Sequence, residues 1–184
     1  MNRVPTVAFG LALALSAGGS GAHAQANSAA AAASNAASNF VAQANLGAPF
    51  QIDSGRIAEQ KATTANIRDY AHLMVTSHGP VVADLNAILQ RRHIAAPPET
   101  LLQGAYDAMI ASLKADTGAA LDRDYVEGQV DYQKGNAALF RYEIQNGADP
   151  DLEAFAQRTL PKIEDHLQLA LKLAKSGAAR ASTQ

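Results

Sequence analysis

His78 and His166 stand at positions where the apolar stripes of two long segments ask for a leucine or an isoleucine. A buried imidazole has to be hydrogen-bonded, metal-bound or titrated, so two of them near the middle of one bundle raise a metal or proton site. Gln133 falls on the stripe of a third long segment, and Gln51 is the polar core candidate of a fourth, each also near mid-length. Antiparallel packing can bring the four to one level, where helix bundles build their sites. One chemistry for that level is a single divalent ion on His78 and His166, with Ser77, Glu164 or Asp165 close by. A ferritin-type di-iron centre is not expected. It takes a Glu from each of two helices and a Glu-x-x-His pair from each of the other two, whereas Val75 and Ile163 precede these histidines by three. Two neutral imidazoles and two amides also cannot offset the charge of two iron ions in a low-dielectric core. The favoured reading is a buried polar layer of Gln51, His78, Gln133 and His166 that fixes helix register and holds no cofactor, as a polar seam residue does in coiled coils.

Little else in the chain suggests catalysis. Ser77 adjoins His78, but neighbouring residues on a helix do not face each other, so a nucleophile and its base are not implied. Tyr70, Tyr106, Tyr125, Tyr132 and Tyr142 are spread over the chain and read as core packing, while His72 and His93 fall on outward phases. Pro49, Pro80 and Pro161 lie inside helical patterns and free the carbonyls of Asn45, Thr76 and Gln157. They read as bends around the core.

The elements that must hold these residues are helices. From Thr64 to about His93, Ile67, Ala71, Met74, His78, Val81, Leu85 and Ile88 alternate spacings of four and three, and Ala96-Pro97-Pro98 ends the run. A shorter helix, about Glu99 to Ala115, sits in the connection between two halves, with Leu101, Leu102, Ala105, Met109 and Leu113 on one face. The next runs from about Ala119 to Gln145 with Val126, Val130, Gln133, Ala137, Phe140 and Ile144 on its seam, and Asn146-Gly147 stops it. Asp149 caps the last helix with Pro150 at its first position. Its seam is Leu152, Ala156, Thr159, Ile163, His166, Ala170 and Leu173, flanked by Phe155, Leu160 and Leu167. The first helix, about Ser38 to Ala62, is interrupted by Gly47 and Pro49 yet keeps a face of Phe40, Ala44, Phe50, Ile57 and Ala58. No period-two run or hairpin signal occurs. The expected fold is all-α, a ferritin-like four-helix bundle with a short extra helix in the central crossover.

Arg3, an apolar run through Leu15 and small residues up to Ala24 read as a secretory signal peptide over residues 1–24, cut after Ala24. Residues 25–37 are Ala, Ser and Asn in the main and form a tether, partly helical through its alanines. The bundle occupies residues 38–175 and a flexible tail follows over 176–184. With no cysteine, disulfides, thiol catalysis, Cys-based metal sites and a lipid anchor are excluded. The net charge of −2, with acids and bases interspersed, argues against nucleic acid and anionic membranes, and no later stretch is apolar enough to span a bilayer. The expectation is an exported protein of the periplasm.

Three stretches carry a resemblance: YAHLMVTSHGPVVADL, DRDYVEGQVDYQKGNAALF and FAQRTLPKIEDHLQLALKL. They resemble the bacterial domain-of-unknown-function family 4142, an exported ferritin-like helical domain often labelled an outer membrane protein. The likeness covers about Asn39 to Leu173, and the run from Leu160 to Leu167 is its most specific part. Relatives usually carry Asp-His where this chain has Ser77-His78, a Glu near Gln51 and a His near Gln133, so only His78 and His166 match residue by residue. The resemblance implies no activity, and the outer-membrane label finds no barrel-like strand pattern here.

Two functional readings follow, with a third behind them. The first is a non-enzymatic structural or interaction module of the bacterial envelope, with an envelope protein as partner. The second is a ferritin-like metal-binding or redox protein, linked to stress, acting through His78 and His166. The third, a binder of small apolar ligands between splayed helices, draws on the alanine-rich core and the three prolines.

Overall fold

Asp149 begins the last helix as its sequence suggests: its Oδ1 accepts the backbone N–H groups of Asp151 and Leu152, at 2.9 and 3.3 Å, and satisfies two of the donors a helix start leaves free. A computed structural model describes residues 20–94 and 101–181 and, with their side chains, 37–94 and 103–177. It contains α1 (Ser20–Lys61), α2 (Ala65–Arg92), α3 (Leu101–Ala115), α4 (Gly118–Asn146) and α5 (Pro150–Ala181), and no strand among those residues. Most of the leader and the Pro97-Pro98 stop lie outside the described residues.

The helices pair as two hairpins, α1 with α2 and α4 with α5, and the hairpins close a four-helix square through α1 against α4 and α2 against α5. α3 bridges the hairpins in sequence and leans on α1, with only slight contact to α4. This is the expected all-α bundle with a short helix in its crossover.

Two boundaries differ from the sequence reading. α1 begins at Ser20 rather than about Ser38, because the alanine-rich stretch has high helix propensity and extends the helix without a break. α5 likewise continues past Ser176 to Ala181. Pro49, Pro80 and Pro161 are all on the solvent side of unbroken helices, where a freed carbonyl can reach water. Gly47 does not interrupt α1; it makes room, since a Cβ there would sit 2.1 Å from the Tyr132 hydroxyl.

α2 ends about where the sequence reading ends it, and α4 ends by different chemistry from that expected. α2 ends at His93, a residue in the left-handed region with φ of 52°, and the Ile94 N–H folds back to the Leu89 carbonyl at 3.0 Å. Gly147 has an extended backbone, so it is not a left-handed stop. What requires glycine there is close approach, because a Cβ would lie 2.5 Å from the Glu143 carbonyl oxygen.

Buried apolar side chains fall into two clusters, one toward each end of the bundle. Ile67, Tyr70, Met74, Leu121, Tyr125 and Val126 belong to the first. The second is built on Phe40, Leu85, Ile88, Phe140, Leu152 and Phe155, with three of its rings in mutual edge and tilted contact at 5.1 to 6.3 Å.

Candidate functional site

The boundary between the two clusters is where all four expected polar residues lie. On α2, His78 separates Ile67–Met74 from Leu85–Leu89; on α4, Gln133 separates Leu121–Val130 from Ala137–Phe140. On α5, His166 falls between Ile163 and Ala170, and on α1, Gln51 and Ser54 fall between Val41 and Ala58. Every one of these polar side chains is buried, the two histidines at 6 and 7% exposure. The bundle therefore has a polar waist between two apolar halves.

Within that waist the structure brings His78 and His166 together, with ring centroids 5.5 Å apart and planes tilted by 39°. His78 Nδ1 lies 2.9 Å from the Met74 carbonyl oxygen. A carbonyl can only accept, so Nδ1 carries the hydrogen and Nε2 is left as an acceptor. His166 Nδ1 is buried without a hydrogen-bond partner among the described residues. Burial, then the neighbouring His78 and Lys162, push the His166 imidazole down from 6.5 to about 4. His78 is also lowered by burial, against the opposing effect of its bond to Met74. Both rings are neutral at pH 7.

A cavity of about 20 Å³ adjoins the pair, lined also by Ser77, Asn136, Thr159 and Lys162. That is room for about one water, which needs roughly 10–15 Å³ by this measure. Among the described residues no aspartate or glutamate lines it, and the one charged group that does is the Lys162 ammonium. A carboxylate-bridged di-iron centre does not fit such a lining, because nothing in it offsets the metal charge. Among the described residues no three His, Cys, Asp or Glu side chains are grouped to hold an ion. Of the residues expected nearby, Ser77 is present at the cavity, Glu164 turns away to Arg141 at 2.5 Å, and Asp165 is exposed.

The four waist residues are not bonded to one another as a closed layer. Gln133 Nε2 points to the Met74 sulfur at 3.6 Å, so Met74 touches both His78, through its carbonyl, and Gln133, through its side chain. The Tyr70 hydroxyl donates to Gln129 Oε1 and Gln129 Nε2 donates to Ser54 Oγ, each at 3.3 Å, and Ser54 Oγ turns to the Gln51 carbonyl at 3.4 Å. The Gln51 amide itself, Gln133 Oε1 and the Tyr125 hydroxyl have no partner among the described residues. Sequence phase missed Ser54, Gln129 and Tyr70 as members because they sit beside the stripe, one turn or less from a seam residue. A signal was present in the spacing of Gln129 and Gln133, which puts two amides on one face of α4.

Two further corrections concern outlying residues. Tyr142 is not core packing: it is 58% exposed, since α4 turns that phase to solvent. Glu143 is buried beside Gly147 with Oε1 unpartnered, and burial, helped by Asp149 and Glu153, pushes its carboxyl up.

Neither a curated protein nor a solved structure matches this chain. The profile of one family, described as "Domain of unknown function (DUF4142)", matches residues 22–173, a span that contains all four long helices' waist residues. The chain, with its buried histidine pair and polar waist, belongs to that family.

Proposed function

We propose that the protein is a non-enzymatic helical-bundle module of the bacterial envelope, exported by its leader to the periplasm, that holds a protein partner or a ligand and does not transform one. The observation that carries this reading is the size and chemistry of the interior site. The polar waist is enclosed by two apolar clusters, and the cavity at His78 and His166 has about 20 Å³, enough for a water and too little for a substrate. The polar residues then serve to set the relative height of four helices whose apolar stripes would otherwise tolerate sliding by a turn.

A second reading, metal binding or redox chemistry through His78 and His166, is favoured by one observation. Two imidazoles each placing a nitrogen about 2.0 Å from a shared ion have ring centroids roughly 5–6 Å apart, and these lie at 5.5 Å. Metal analysis of the purified mature domain separates the two readings, with a His78→Ala/His166→Ala variant alongside. No stoichiometric metal in either protein is the expected result. A stoichiometric ion present in the wild type and lost in the folded variant would overturn the first reading in favour of the second.

A further inference from the structure

On the outer side of the waist, sharing Tyr132 and Asn136 with the small cavity there, α1, α3 and α4 line an open cleft of about 390 Å³, within the range of roughly 300–1,000 Å³ typical of small-molecule sites. The cleft is there because α3 rests on α1 and barely touches α4. Its aromatic part is Phe50, stacked on Tyr106 at 4.5 Å with planes 18° apart, and Tyr132, tilted against Phe50 at 5.4 Å. One end is closed by Met109, whose methyl group occupies the place a side chain at position 128 would fill. At the other end Gly135 lines the cleft, and a Cβ built there meets nothing within 4 Å. Two glycines on one helix thus serve opposite ends, one filled by a neighbour and one left open.

The charge of the lining is one-sided. Among the described residues Asp131 lines the cleft and forms no ion pair, and no Lys, Arg or His lines it. Phe50 is buried and stacked on Tyr106, so the rings open to the cleft are the half-buried Tyr106 and Tyr132, and such electron-rich rings beside an unneutralised carboxylate favour a flat cation, through stacking, cation–π attraction and a charge pair. We infer that the α1–α3–α4 cleft binds a planar aromatic or amphipathic cation. The inference rests on the reading of the protein as a binding module and names its ligand class.

Proflavine, a planar cation at neutral pH, and anilinonaphthalene sulfonate, an anion of similar reach, are the probes, read by fluorescence titration of the full mature domain. Saturable one-to-one proflavine binding is expected, with the anion binding at least tenfold more weakly. Gly135→Leu fills the open end at an exposed helical position where an added Cβ meets nothing within 4 Å, so it should keep the fold and weaken proflavine at least tenfold. Asp131→Asn should weaken it about threefold, as an exposed charge pair does. Equal or tighter binding of the anion, or proflavine binding that Gly135→Leu leaves unchanged, would overturn the inference. So would loss of the cleft to a second copy of the chain, seen as a dimer that Gly135→Leu makes monomeric. Metal found at His78 and His166 bears on the interior reading alone, so the two failures are told apart.

Discussion

Lowering the pH from 7 to 4.5 should cost the fold about 2 kcal/mol through His166 alone. In the folded protein this imidazole titrates at about 4, against 6.5 when exposed to water. Above pH 6.5 neither the folded nor the unfolded chain protonates it, and its contribution is flat. Between 6.5 and about 4 the unfolded chain takes a proton that the folded one refuses, so stability falls as pH falls. Below about 4 both are protonated and the loss is complete. At about 1.4 kcal/mol for each tenfold change in proton affinity the whole effect is about 3 kcal/mol, most of it spent by pH 4.5. The ring is almost fully buried, so solvent screening takes little from that figure. His78, lowered by the same burial, adds in the same direction.

Glu143 opposes the histidines. Its raised carboxyl pKa makes the folded chain hold an extra proton above the ordinary 4.5, which adds stability as pH falls through that window. Asp149, held low by Arg92 and its two backbone N–H bonds, loses its contribution only below its ordinary 3.8. The assay therefore uses a difference: urea unfolding of the wild type and His166→Leu at pH 7 and pH 4.5. The leucine variant should match or exceed the wild type at pH 7, because Nδ1 has no partner to lose. It should also escape about 2 kcal/mol of the acid loss, which is about 4–8 °C in melting temperature for a domain of this size. Parallel pH curves for the two proteins would refute the reasoning, and a large loss for the leucine variant at pH 7 would point to a ligand or an essential partner at this ring.

Other substitutions test the packing directly. Gly47→Ala should destabilise by about 1–3 kcal/mol, since the new methyl meets the Tyr132 hydroxyl, and adding Tyr132→Phe should recover most of it in a thermal melt. Gln51→Leu should raise the melting temperature, because both amide atoms are buried without partners and an unsatisfied polar group costs about 1–3 kcal/mol; a drop would show that an ordered water or another group satisfies it. Asp149→Ala should cost about 1 kcal/mol by chemical denaturation through loss of the α5 cap.

Much of the bundle was legible because amphipathic spacing is local. The α2 seam is buried at every position from Ile67 to Ile88 except Val81, which is half-buried, and the α5 seam from Leu152 to Ala170 is buried throughout. Asp149 and Pro150 marked the start of α5 through groups within three residues of one another. The shorter α3 was less faithful: Ala105 is exposed and Met109 only half-buried, because α3 packs on one neighbour and leaves a cleft beside another.

From the residues alone it could be read that Gln51, His78, Gln133 and His166 are buried, the last three through the helical period of their own segments, though not that Ser54 and Gln129 join them. Which of those residues meet was decided by tertiary structure. The pairing of α2 with α5 sets His78 against His166, while Gln133 is turned to Met74 and Gln51 is left with its amide unpaired. The reason is physical: spacing along one helix fixes the phase of a side chain, but the height and rotation of one helix against another come from packing between residues far apart in the chain. The same packing opened the cleft at Tyr106, Tyr132 and Gly135, which no single stripe could reveal.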